Sequence, residues 1–413
     1  MKNIFSFFAL LLFVSVGSCA RQQTNADGFI RISGVDLLKP DGSKLFIRGT
    51  NLGNWLNPEG YMFGFGKTNS PERINRMFCE LVGPDFTADF WRRFKDNYIT
   101  REDMAFIAST GANTVRVPFH YKLFTDEDYM GLTAGQDGFA RIDSVVKWCR
   151  DNNLYIILDM HDAPGGQTGD NIDDSYGYPW LFESEASQLL FCEIWTKIAA
   201  YYRDETVILG YDLINEPIAP YFENVEALNG LLEPLYRRVV KAIREVDRNH
   251  IVLIGGAQWN SNFKPLRDAS FDDKMMYTCH RYGGEPTAAA IRSFIAFRDS
   301  VGKPMYMGEI GHNSDEWQAA FCRTMEENNI GYTFWPYKKK DSSSFVGIVT
   351  AENWRPIIDF AEANRSFYKD IREARPDQQA ARKAMDDFIE ACKFRNCTVQ
   401  DGYIGSLGLK HAQ

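Results

Sequence analysis

Eight short runs of apolar and β-branched residues recur along this chain, each separated from the next by a stretch with room for a helix: 45–50, 113–118, 154–160, 208–214, 250–254, 275–280, 304–308 and 330–335. Their apolar character is nearly continuous rather than alternating, which is the signature of strands buried on both faces of a parallel sheet. The intervening segments carry helical spacing. In 141–152, Ile142, Val145, Val146 and Cys149 fall at i, i+3, i+4 and i+7, and in 233–247 Leu235, Val239, Val240 and Ile243 share one face. Eight such units spread over roughly 300 residues predict an α/β chain closed into a (β/α)₈ TIM barrel. An open doubly wound sheet is the alternative, and it is disfavoured because no GxGxxG or P-loop follows any strand.

Around this barrel the chain divides simply. Residues 29–33 and 34–38 read as a hairpin able to close the lower end of the barrel. The stretch 56–112 is long and aromatic, and 376–413 is charged and then glycine-rich, an accessory helix and tail. The catalytic domain is therefore expected over 29–375. The first 19 residues belong to no fold: Lys2 precedes an apolar run over 4–16, too short to span a bilayer and of the length of a signal-peptide core. Val16-Gly17-Ser18-Cys19 is similar to a bacterial lipobox, with Cys19 as the lipidated residue; an ordinary cleaved signal is the other reading. Residues 20–28 then form a tether. The expectation is an exported monomer, lipid-anchored in the bacterial envelope or secreted, touching the membrane only through its anchor.

Charge and cysteine usage narrow the function. A formal net charge of -9 argues against a nucleic-acid partner and suits a neutral polymer. Seven cysteines remain besides Cys19, an odd number set mostly within apolar patterns, which is no disulfide framework. Cys392 and Cys397 are near enough to bridge, and the sequence leaves that open. With no CxxC pair and no HExxH motif, neither a metal nor a cofactor is expected.

Active sites of such barrels lie at the C-terminal ends of the strands. The polar residues there are Asn51 to Trp55 after the first strand, Arg116 in the second, His161 after the third, and Asn215 and Glu216 after the fourth. His280 and Tyr282 follow the sixth, Glu309 the seventh, and Trp335 ends the eighth. Two carboxylates on opposing strands are what glycoside cleavage uses, provided their environments push the two pKa values apart. Arg116 is placed to hold one of them ionised, and Trp335 to offer a flat face to a sugar ring.

The motifs Arg48-Gly49-Thr50-Asn51-Leu52-Gly53-Asn54-Trp55, Asn113-Thr114-Val115-Arg116-Val117-Pro118, Ile214-Asn215-Glu216-Pro217 and Met307-Gly308-Glu309 occur in this order over 29–368. In them the chain resembles glycoside hydrolase family 5, the cellulase-like retaining β-glycosidases. That resemblance implies Glu216 as acid/base, Glu309 as nucleophile, and Asn215 on the 2-hydroxyl of the reacting sugar. It further implies that Arg116 and Tyr282 orient Glu309, that His161 and His280 line the subsite and support Glu216, and that Trp335 is a platform, with Trp55 a further supporting residue. The loop His161-Asp162-Ala163-Pro164-Gly165-Gly166-Gln167 is similar to the exo-β-1,3-glucanase branch, which tilts the substrate toward a β-glucan or β-glucoside, with a β-mannan as the alternative. Asp162, Asp170, Asp173 and Asp174 do not have the spacing of an EF-hand, so a solvated or sugar-binding loop is preferred to a calcium site. Whether the aromatic loops make an endo-acting cleft or an exo-acting pocket is left open. A non-catalytic glycan-binding protein on a decayed barrel is the competing class, and it would be expected to lack one of these carboxylates.

Overall fold

The computed structural model describes residues 28–131, 137–268, 271–340 and 343–410. Eight parallel strands close into a barrel in chain order: β1 (Arg48–Asn51), β2 (Thr114–His120), β3 (Tyr155–Asp162), β4 (Ile208–Asp212), β5 (Ile251–Gly255), β6 (Met275–His280), β7 (Met305–Glu309) and β8 (Gly331–Phe334). Strands β2 and β4 to β8 are buried along their whole length, which is why they read as unbroken apolar runs.

Helices surround the barrel, with one departure from regular alternation. Among the described residues only the four-residue turn Ala257–Asn260 carries helical assignment between β5 and β6. The long helix Val225–Val246 begins well before the expected residue 233, because Pro234 sits inside it; a proline mid-helix normally signals a break. The aromatic stretch after β1 folds into helices Pro71–Val82, Pro84–Tyr98 and Arg101–Ser109.

The expected hairpin is present as Arg31–Ser33 paired with Asp36–Leu38, and Lys44–Leu45 adds a third strand. Its residues Ile30, Leu37 and Leu45 pack with Ile157, Leu209, Ile251 and Met276, so it plugs the barrel at the end opposite the site. At the other terminus, helix Gln378–Cys392 buries Ala381, Met385 and Phe388 against Pro84–Tyr98. The tail then docks: Thr398–Val399 joins a small sheet with Lys338–Lys339 and Val346–Gly347, and Tyr403 and Ile404 are buried. Cys392 and Cys397 are free thiols, and Cys397 faces the last carbonyls of that helix. No described helix is long and apolar enough to cross a membrane. The leader, Cys19 and tether residues 20–27 lie outside the described residues.

Candidate active site

One buried cation organises the mouth of the barrel. Arg116 projects from the middle of β2, where its neighbour in register on β1 is Asn51. It is fully buried, and a charge in that position persists only when paired and hydrogen-bonded. Its guanidinium reaches Asp212 at 2.9 Å, Asp159 at 2.9 Å and Glu309 at 2.7 Å. It also donates to Asn215 Oδ1 (2.9 Å) and Asn51 Oδ1 (3.2 Å). Asn51 Nδ2 in turn donates to the carbonyl of Gly308, one residue before Glu309. Strands β1, β2, β3, β4 and β7 are thus tied through one side chain.

Glu309 ends β7, where a register shift between Met307 and Glu309 sets it level with His280 of β6. Bulges of this kind re-aim side chains beside active sites. One carboxylate oxygen accepts from Arg116, and the other accepts from the Tyr282 hydroxyl at 2.6 Å. Burial opposes its charge, but His280, Arg116 and His161 together with the Tyr282 hydroxyl more than offset this and hold its pKa at about 2. Glu309 is therefore an anion with both oxygens aligned.

Glu216 follows β4 in a left-handed backbone conformation, φ 44°. That geometry is uncommon for a residue with a side chain and is held here from the β3 loop. Gln167 Nε2 donates to the carbonyl of Asn215, and Thr168 Oγ1 to that of Glu216. His280 Nδ1 lies 2.8 Å from Glu216 Oε1 and 3.6 Å from Glu309 Oε2. One carboxylate oxygen of Glu216 and one of Glu309 come within 4.8 Å of each other. Carboxylates brought this close suit a retaining pair, whose carboxyl groups stand roughly 5–5.5 Å apart, better than an inverting pair at about 6.5–9.5 Å.

Both glutamates line a cavity of about 230 Å³ whose other walls are Glu59, Tyr61, His161, Ile172, Tyr282, His312 and Trp335. Trp335 stacks on His161, the ring centroids 5.1 Å apart and the planes 4° from parallel, and its indole N–H donates to the Tyr61 hydroxyl. Gly53 is required beneath it: a Cβ there would sit 2.9 Å from the indole carbons.

Two expected roles need correction. His161 does not support Glu216: its Nδ1 is 2.8 Å from Asp159, and its Nε2 faces Asn215 and Glu59. Burial disfavours its charge, yet Asp159 and Glu59 push its pKa up to about 10, so it adds a second cation to the site. Trp55 is not in the site at all. It is 1% exposed and donates its indole N–H to the carbonyl of Lys95, because the chain after β1 turns into the aromatic layer under helix Pro84–Tyr98.

The sequence reading missed Glu59, Tyr61, His312, Asp159 and Asp212. Glu59 is buried, its Oε1 lying 3.7 Å from His161 Nε2 and making no hydrogen bond among the described residues; burial raises its pKa, His161 opposes this, and Glu309 and Glu216 add to the rise. A signal existed for the aspartates. Arg116, Asp159 and Asp212 are single charges inside apolar runs of three neighbouring strands, and each needs a partner at the same depth.

Metal-type ligand atoms converge in two groups among the described residues: Glu216–His280–Glu309, already described, and His120–Asp162–Asp174. In the second group His120 Nε2 sits 2.9 Å from Asp174 and 3.2 Å from Asp162. Burial lowers the pKa of His120, but the two carboxylates overcome this and raise it to about 9. The aspartates of this loop also accept backbone N–H groups: Asp173 from Thr168 and Gly169, Asp162 from Asp174, and Asp174 from Glu72. They fold the loop that carries Gln167 and Thr168.

The family profile for cellulase (glycosyl hydrolase family 5) matches residues 79–341. The chain belongs to glycosyl hydrolase family 5. A β-xylosidase of Phanerodontia chrysosporium is 32% identical over 264 residues, 63% of this chain, and the chain spans about half, 53%, of that relative's length. Endoglucanase C of Acetivibrio thermocellus is 28% identical over 61% of this chain and 88% of its own length. A glucan 1,3-beta-glucosidase of Lachancea kluyveri is 26% identical over 82% of this chain and 80% of its own. This family 5 member is a glycoside hydrolase, and its Glu216 and Glu309 line one cavity.

Proposed function

We propose that this chain cleaves β-glucosidic bonds of a β-glucan, or of an oligosaccharide derived from one, by double displacement with retained configuration. The carrying observation is the pair itself: an ionised Glu309 whose oxygens are fixed by Arg116 and Tyr282, and a Glu216 carboxyl within 4.8 Å that borders open space. Glu309 attacks the anomeric carbon of the unit lying against Trp335 while Glu216 gives its proton to the leaving oxygen. Glu216 then takes a proton from the water that releases the sugar. Glu59, at the cavity wall with its Oε1 3.7 Å from His161 Nε2 and without a hydrogen bond among the described residues, accepts a hydrogen bond from a hydroxyl of the bound unit. A β-glucan is favoured over a β-xylan or β-mannan by the relatives that align over most of their own length, an endoglucanase and a glucan 1,3-beta-glucosidase.

Product analysis across β-1,3-, β-1,4- and mixed-linkage glucans, xylan, mannan and aryl β-glycosides tests the reading, with Glu216→Gln as control. Release of glucose or gluco-oligosaccharides by the wild type alone is expected; turnover only of mannan or xylan contradicts the substrate. We further propose that the chain acts outside the cytoplasm on a lipid anchor at Cys19, on the strength of the apolar run over 4–16 and Val16-Gly17-Ser18-Cys19. Loss of detergent-phase partitioning in Cys19→Ala is the expected result, and unchanged partitioning contradicts it.

A further inference from the structure

His280 meets Glu216 with one ring nitrogen and a further residue with the other. Nδ1 lies 2.8 Å from Glu216 Oε1, and Nε2 lies 3.1 Å from the side-chain amide of Asn260. Asn260 is fully buried and belongs to the turn after β5 rather than to a barrel strand. A neutral imidazole carries one N–H and one lone pair, so what Asn260 offers to Nε2 decides what Nδ1 offers to Glu216.

The turn is built to hold that amide. Gln258, Trp259 and Asn260 take left-handed conformations in succession, with φ 48°, 58° and 57°. Backbone bonds between Ala257 and Asn262, one in each direction, close the turn around them. Gln258 is tied at both ends of its side chain, Nε2 donating to Asn229 and Oε1 accepting from Asn262. Strain of this kind is kept where the surroundings over-determine it. Two glycines make the room: a Cβ on Gly255 would meet Asn260 Oδ1 at 2.2 Å, and one on Gly308 would stand 3.0 Å from His280 Nε2. With Nδ2 turned to Nε2, Asn260 Oδ1 is buried without a hydrogen bond among the described residues, which a buried acceptor rarely is. That orientation also makes Nδ1 the N–H. A donor there favours Glu216 as the carboxylate and opposes its holding the proton that the leaving oxygen requires. Half a turn of the amide about its last side-chain bond gives Oδ1 a partner in Nε2–H and leaves Nδ1 its lone pair toward Glu216.

We propose that Asn260 is the positioning residue that fixes His280 as the Nε2–H tautomer, so that His280 and Glu216 share the catalytic proton between Nδ1 and Oε1; the assignment rests on the hydrolase reading above. With the proton on Oε1, Glu216 is the acid. With it on Nδ1, the ring is a cation 3.6 Å from Glu309 Oε2, and buried Asp212 is a further carboxylate that feels its charge. As a Glu309 oxygen bonds to the anomeric carbon and the glycosidic C–O bond breaks, the shared proton passes to the leaving oxygen. In the second step the water that displaces Glu309 returns a proton to Glu216, and the pair is restored. Nε2–H is untouched in both steps, so one fixed amide serves the whole cycle.

Asn260→Leu removes the acceptor, and Asn260→Asp keeps one. Both are measured on 2,4-dinitrophenyl β-D-glucoside, whose leaving group departs without protonation, and on phenyl β-D-glucoside, whose leaving group needs it. Asn260→Leu is expected to lose kcat/KM on the phenyl glucoside roughly tenfold or more beyond its loss on the dinitrophenyl one, and Asn260→Asp to recover most of that difference. Equal losses on both substrates, which a merely displaced turn would give, overturn the proposal, and so does the absence of any loss. Nitrogen-15 NMR of the chain's six histidines, with His280 assigned through a His280→Gln variant, reads the tautomer without turnover. A protonated Nε2 in the resting wild type is expected, and a lone pair at that nitrogen overturns the proposal. Failure of the wild type to cleave either glucoside counts against the β-glucosidase reading itself, while the NMR still decides the role of Asn260.

Discussion

Among the described residues, two clusters bring one histidine and two carboxylates together with their ligand atoms converging, and they serve opposite ends. In Glu216–His280–Glu309 the carboxylates face cavities, and a guanidinium fixes one of them as an anion. In Asp162–His120–Asp174 the histidine stacks against the rings of Tyr121 and Tyr129, and one oxygen of each carboxylate faces it while each carboxylate also accepts a backbone N–H. Identical groups become a reaction centre or a fastening according to what else reaches them. Access and charge balance decide, rather than residue type.

Substitutions can break this comparison in descending order of effect. Glu309→Gly should lose at least ~10⁴-fold in kcat, as removal of a covalent nucleophile does. With azide and an activated β-substrate it should recover activity and yield the α-glycosyl azide, seen by proton NMR. Glu216→Ala should lose about 10²–10⁴-fold on oligosaccharides. It should lose far less on a glucosyl fluoride, whose leaving group needs little protonation, and azide should there give the β-product.

The fastening should respond to pH instead. His120 is raised in the folded chain to about 9, above its ordinary ~6.5. Its contribution to stability is then complete below about pH 6.5 and is lost as pH rises through about 9, with an upper limit of ~3 kcal/mol. Thermal melts of the wild type should fall over that window more steeply than those of His120→Gln, and parallel curves would contradict the ion triad. Smallest for activity is Trp55→Phe. It should cost about 1–3 kcal/mol of stability by orphaning the Lys95 carbonyl and leave kcat/KM unchanged, because Trp55 packs in the core.

How much of this the sequence shows depends on what each part answers to. The eight strands are legible because burial on both faces leaves no freedom of composition, as in Val115, Val117, Leu158 and Ile254. Glu216 and Glu309 are legible because their neighbours, Asn215 and Gly308, are constrained with them. Trp55 is misread because adjacency in sequence to Asn51 and Gly53 says nothing of a chain that turns inward after β1. Glu59, Tyr61 and His312 go unseen because loops from different strands bring them together, and no local period records that meeting. The start of helix Val225–Val246 is obscured by Pro234, where tertiary packing overrides a local preference.

The separation of Glu216 and Glu309 carries the central claim, and the stereochemistry of the first product tests it most directly. Proton NMR of a β-glucoside or β-glucan digest, read before mutarotation sets in, should show the β-anomer appearing first and the α-anomer only later. An α-anomer formed first would mean inversion and would contradict a covalent intermediate on Glu309.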